Sequence, residues 1–209
     1  MERRHEDRGW LTTRETVARR AQWKDGKIRA GCALTRSRDL PVESHFTPQG
    51  ALRIRPAVNA DVPMVLRFTR ELAEYEKALH RFAATEELLR ESLFGETKPA
   101  EAILGDVGEE PVAFAVFYHS FSTYLGWHCL HLEDLYVRPD RRGAGLGRIM
   151  LSYLARVAKD RKCALMEWSS LAWNEAAKQF YLHLGAEAEE RWMYRLSGAS
   201  LDELVSGKE

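Results

Sequence analysis

From Leu52 onward, apolar residues recur along the chain at intervals of two, then of three and four, then of two again. Leu52-Arg53-Ile54-Arg55-Pro56 alternates and predicts an edge strand stopped by proline. Asp61 is placed to cap a helix with Pro63 in its first turn, along which Val65, Phe68, Leu72 and Tyr75 share one face. A second helix is predicted from Thr85 to Phe94, its first turn carrying Glu86 and Glu87 where acids suit the helix dipole. Ala102–Leu104 and Val112–Tyr118 read as strands around a turn at Gly105–Pro111, and Leu130–Val137 as another strand. A glycine-rich turn follows, then a helix from about Gly145 to Arg161, a strand over Cys163–Ser169, a helix over Asn174–Leu184 and a closing strand over Trp192–Leu196. Strands and helices that alternate after residue 100 predict an α/β fold with an at least partly parallel sheet covered by helices.

Residues 1–50 break this pattern. They are rich in arginine, contain no strand-like run and end in a loop-like stretch from Pro41 to Gly50; Thr12-x-x-Glu15 could open a short helix to about Gln22. The expected organisation is a poorly ordered extension over 1–50, one domain over 51–198 and a tail over 199–209. Lys plus Arg and Asp plus Glu balance at 31 each, so the whole chain has no charge bias toward nucleic acid or an anionic membrane. The balance conceals eleven basic against seven acidic residues in 1–50, and twenty against twenty-four in the remainder. The mildly acidic domain suits a cationic small substrate. Three cysteines, odd in number and without a Cys-x-x-Cys pair, argue against a disulfide framework and a zinc ribbon and fit the cytoplasm. No apolar run approaches the roughly 20 residues that span a bilayer.

The strand that runs into Arg142-Gly143-Ala144-Gly145-Leu146-Gly147 and then into a helix has the form of an anion cradle. Glycine lets backbone N–H groups approach a ligand closely, and a helix N-terminus favours negative charge. A pyrophosphate is the natural guest. The Gly-x-x-x-x-Gly-Lys-Ser/Thr run of a P-loop is missing, and Arg148 stands where a dinucleotide turn needs its third glycine. Glu167, about twenty residues on, keeps a Rossmann-like nucleotide-binding enzyme as the alternative.

Arg142-x-x-Gly145-x-Gly147 resembles the Arg/Gln-x-x-Gly-x-Gly/Ala signature of the GNAT acetyltransferase superfamily. Leu132-Glu133-Asp134-Leu135-Tyr136-Val137 resembles the strand before that signature, and Trp173-Asn174-Glu175-Ala176 through Phe180-Tyr181 to Leu184-Gly185-Ala186 resembles its later helix. Glu71-Leu72-Ala73-Glu74-Tyr75-Glu76 is similar to the first helix of the spermidine/spermine and thialysine acetyltransferase branch. The resemblance covers about 51–198 and leaves 1–50 without a counterpart. It implies a mixed, mostly antiparallel central sheet with a parallel splayed pair and helices on both faces. It also implies acetyl-CoA as co-substrate, a small-molecule amine as acceptor and a homodimer, to which Trp192 and Tyr194 could contribute. A CoA-binding domain with a regulatory role is a further reading.

Acetyl transfer to an amine requires that the ammonium lose a proton, that the carbonyl oxygen be stabilised and that the thiolate be protonated as it leaves. No Gly-x-Ser-x-Gly elbow points to a covalent route, so direct attack in a ternary complex is expected. On a regularly alternating strand Glu133 shares a face with His131 and Leu135, and Asp134 with Leu132 and Tyr136. Read alone, Glu133 is either a base or an ion-paired strand residue; the resemblance makes it the base. It further implies backbone donors at Leu135, Tyr136 and Val137, and cofactor contacts from Arg142, Gly143, Ala144, Gly145, Leu146, Gly147, Arg148, Asn174 and Ala177. Tyr181, otherwise a core tyrosine, becomes the general acid. Tyr75, Glu76, Glu133, Asp134, Glu167, Trp168 and Ser169 become the substrate pocket. His128-x-x-His131-x-Glu133 is not read as a metal site, because positions three apart on a strand face opposite ways. The loop Phe121–Gly126 lacks the acid of polyamine-specific relatives, which points to a short diamine or an amino-acid side chain.

Overall fold

A computed structural model describes residues 40–207. The chain divides between Ser169 and Ser170 into two compact units. The first holds a six-stranded sheet in simple sequential order: β1 (Glu43–Thr47), β2 (Gly50–Pro56), β3 (Glu101–Val107), β4 (Glu110–Ser122), β5 (Trp127–Val137) and β6 (Met166–Trp168). Every neighbouring pair is antiparallel except β5 and β6. Its helices are α1 (Val62–Tyr75), α2 (Glu86–Phe94) and α3 (Leu146–Asp160). This order differs from that of a doubly wound dinucleotide fold, whose strands are mostly parallel.

The two long helices cover opposite faces of the sheet. Val65 and Phe68 of α1 join Leu104, Phe114 and Tyr136 in one buried cluster, where the Phe68 and Phe114 rings stack at 5.6 Å between centroids. Gly105, next to Leu104 and therefore on the other face, lies under α3: a Cβ there would stand 3.2 Å from Met150 Sδ. Gly105 is accordingly an in-strand contact rather than the start of the expected turn, which lies instead at Gly108–Glu109.

Three local expectations are corrected. The stretch Pro41–Gly50 is a hairpin rather than a loop, and β1 gives β2 a second neighbour, so Leu52 and Ile54 are fully buried in an interior strand. Arg55 made β2 look half-exposed, but its guanidinium donates to Asp61 at 2.6 and 3.0 Å and to Asp106 at 2.7 Å. Asp61 occupies the N-cap position of α1 without capping it, since its carboxylate takes the Arg55 guanidinium and the Val58 N–H. Thr85 does cap α2, its Oγ accepting from the Leu88 N–H. The expected helix near Thr12–Gln22 lies outside the described residues.

The second unit contains α4 (Glu175–His183) and α5 (Ala199–Ser206). The closing strand expected over Trp192–Leu196 does not form. Alternation supplies a face, but a strand also needs a ladder partner, and among the described residues of this unit the regular elements are helices. The stretch expected to be a tail carries α5.

Candidate active site

The site is built around an irregularity in β5. Asp134 pairs with Val116, whereas the next ladder partner, Phe117, pairs with Leu132, so Glu133 is an extra residue with no partner opposite. Val116 and Phe117 point to opposite faces, and Asp134 and Leu132 therefore do as well. The expected grouping of Asp134 with Leu132 is thus overturned. The bulge instead puts Asp134 on the face of His131, which pairs with Tyr118 and stacks on it at 4.8 Å. Glu133 stays on that side too, its Oε2 3.8 Å from His131 Nε2. His128 pairs with Phe121 and packs edge-on against His119, away from His131, as the strand argument required. Among the described residues no group of three His, Cys, Asp or Glu could hold a metal ion.

More acids converge from neighbouring elements. Glu167 on β6 accepts from Ser120 Oγ at 2.8 Å and stands 3.7 Å from His131 Nδ1. Glu76, just past the end of α1, is near enough to add its charge to that felt by Asp134. Burial first, then the charges of Glu133 and Glu76, push the half-buried Asp134 carboxyl up to about 7. Burial and Glu133 also raise Glu76, with Arg81 opposing them. The Glu133 side chain is 58 % exposed. The result is a cluster of acids with two adjacent carboxyls in different surroundings.

Beyond the bulge, β5 loses one neighbour. β6 pairs only over Leu130–Leu132 with Met166–Trp168, so residues 133–137 have left it behind. The Arg138 N–H donates to Val112 O on β4, and alternation then turns the Leu135 and Val137 N–H groups toward the open edge. Tyr136, expected as a third backbone donor, is not one: its N–H faces β4, where it pairs with Phe114, and its side chain belongs to the core, with the hydroxyl donating to Glu71 at 2.8 Å.

The chain then passes a short 3-10 turn, Pro139–Arg141, into the glycine turn and α3. Gly143 and Gly145 have φ of 80° and 82°, where side chains other than glycine are strained, and open space surrounds the place of each missing Cβ. Successive amides in this conformation, ending in the first turn of α3, form a concave set of N–H donors. The cradle therefore fits a pyrophosphate. Leu146 is buried and contributes backbone only, whereas Arg148 is exposed. Arg142 Nε donates to Val137 O at 2.9 Å, and its guanidinium lies 4.9 Å from the Tyr75 ring and 5.7 Å from that of Tyr136. Tyr75, expected in the substrate pocket, thus rests against the cofactor signature. Trp168 ends β6, and Ser169 is exposed just after it.

In the second unit Asn174 caps α4, its Oδ1 accepting from the Ala177 N–H at 3.2 Å. Tyr181 lies two turns on beside Phe180, with ring centroids 5.3 Å apart. Loop Phe121–Gly126 is the tip of the β4–β5 hairpin, where Tyr124 is fully exposed. Residue reasoning missed His131 and Ser120. Only the histidine between two apolar strand positions hinted at the first, and nothing in the sequence flagged the second.

Comparison with known proteins now adds to this geometry. Residues 67–186 match the acetyltransferase (GNAT) family. The chain is 36 % identical over 164 residues to thialysine N-epsilon-acetyltransferase of Bos taurus, covering 73 % of this chain and 96 % of that one. It is 31 % identical over 157 residues to the human spermidine/spermine N(1)-acetyltransferase-like protein 1, covering 70 % of this chain and 22 % of that one. Among solved structures it resembles an integron cassette protein from the mobile metagenome of V. cholerae, with a TM-score of 0.62 at 24 % identity over 74 % of this chain and 97 % of that one.

Proposed function

Because the chain belongs to the GNAT acetyltransferase family and is an N-acetyltransferase, we propose that it transfers acetyl from acetyl-CoA to a primary amine of a small molecule, by direct attack in a ternary complex. The acceptor is a diamine, a thialysine-like amino acid or a polyamine. One observation carries this reading: the bulge at Glu133 gathers His131, Glu133 and Asp134 on one face with Glu167, on the strand that leads into the glycine turn. An anionic cluster attracts ammonium and supplies proton acceptors.

The amides of Gly143–Gly147 and the first turn of α3 hold the pyrophosphate, with Ala144 and Arg148 beside it and Arg142 bracing the turn. The Leu135 and Val137 N–H groups receive the carbonyl oxygen, and preorganised donors of this kind contribute about 3 kcal/mol to a transition state. Glu133 takes the ammonium proton, while Asp134, Glu76, Tyr75, Glu167, Trp168 and Ser169 position the amine. Tyr181 protonates the thiolate, and Asn174 and Ala177 hold the cofactor arm. The same reading places the enzyme in the cytoplasm as a homodimer; no helix among the described residues is long and apolar enough to cross a membrane.

The test is release of CoA thiol from acetyl-CoA with polyamines, thialysine, lysine and short diamines. Turnover is expected with at least one short amine. Silence across the panel with intact acetyl-CoA binding would overturn the reading in favour of a regulatory CoA-binding domain.

A further inference from the structure

We propose that His131 sets how many positive charges the amine site accepts, by occupying or vacating two of its carboxylates. This rests on reading the acidic cluster as the amine site. The imidazole spans Glu133 and Glu167, with Nε2 3.8 Å from one and Nδ1 3.7 Å from the other, and stacking on Tyr118 fixes its ring at 29° between planes. Three strands thus hold the bridge: Tyr118 and Ser120 on β4, His131, Glu133 and Asp134 on β5, and Glu167 on β6. Glu76, with Arg81 beside it, completes the charged groups around it.

Histidine exchanges a proton within the physiological range, and the carboxylates on either side of this one give each protonation state a distinct electrostatic meaning. Protonated, His131 neutralises one charge of the Glu133–Glu167 pair, and the cluster retains room for one ammonium. Neutral, it leaves both carboxylates uncompensated, and a second ammonium gains a partner. The site therefore prefers dications over monocations more strongly as pH rises.

The experiment compares kcat/KM for propylamine and 1,3-diaminopropane between pH 6 and 9 in the wild-type enzyme, His131→Gln and His131→Tyr, the last preserving a ring on Tyr118. The substrates' own titration is common to all three. In the wild type the preference for the diamine should grow about twofold to fivefold across this range, the scale of one part-exposed ion pair. In both variants the growth should shrink to the part that Asp134 and the substrates' own ionisation contribute, and variants that keep the full wild-type trend would overturn the proposal.

Calorimetry of 1,3-diaminopropane binding to the CoA complex, in two buffers of different ionisation heat, reads the same event without turnover. On binding, the wild type should release a fraction of a proton that His131→Gln does not. Asp134→Asn should keep the part of that release that belongs to His131. Equal release from wild type and His131→Gln would overturn the bridge. If no amine is turned over while the His131-dependent release persists, the fault lies with the acetyl-transfer reading, and the bridge stands as an amine-binding device.

Discussion

Asp134 and Glu133 are sequence neighbours whose carboxyls sit in different surroundings: one half-buried and pushed up to about 7, the other largely in water. A folded-state value raised above the unfolded one near 3.8 gives stability that is complete below 3.8 and lost as pH rises through about 7. Asp134→Asn should therefore raise the thermal midpoint more at pH 8 than at pH 4, by on the order of several degrees; equal shifts at both pH values would dissociate the carboxyl from this balance. The kcat profile should carry an ionisation near 7 that Asp134→Asn removes. Glu133→Gln, by contrast, should lower kcat by about 100-fold or more, as loss of a general base does. Tyr181→Phe should slow turnover with little effect on acetyl-CoA binding, which steady-state kinetics beside a binding isotherm would separate.

At the scale of elements, the glycine turn and the first turn of α3 act together. Alanine at Gly145 has open space around its Cβ yet must adopt φ of 82°, so its cost is conformational rather than a clash. Gly145→Ala should destabilise the protein by about 1–2 kcal/mol and weaken acetyl-CoA binding, both measurable by calorimetry. Phe68→Ala, at the centre of the α1 cluster, should cost about 3–5 kcal/mol without moving the pH profile. The turn and the long helices were legible because glycine and proline punctuate them and their apolar spacing is regular. β1 was not: Glu43–Thr47 alternates weakly, and its pairing with β2 is a long-range choice that composition does not announce. The bulge escaped for a related reason: the adjacent acids Glu133 and Asp134 interrupt the alternation of the strand, but only the partner's register reveals which residue is extra.

Across the whole molecule, polar groups placed far apart in sequence brace the sheet. Arg161, buried after the end of α3, pairs with Glu101 at the start of β3 and lies over the Phe117 ring. His119 packs nearby; burial first, then the charges of Arg161 and His128, hold it below the ordinary histidine value, against the opposing pull of Glu101. A depressed folded value means stability that is present above the unfolded value near 6.5 and lost as pH falls through the folded one. Between pH 7 and 5 the wild type should lose more thermal stability than His119→Gln, and a parallel decline would detach the effect from this residue. The family and the glycine turn could be read before the fold, yet the side of the sheet on which each acid stands could not, because one residue decides it. A β-strand has a reading frame of two, and Glu133 is a single-residue frameshift whose downstream message is the face of the sheet. Deleting Glu133 would leave His131 and Asp134 two positions apart and still on one face, removing only the bulge and its carboxylate; a regular ladder that took Glu133 in would turn His131 away from Asp134 and distribute the acids between the α1 and α3 sides. The bulge, by leaving Glu133 out of the count, is therefore what keeps the acids on one side of the sheet.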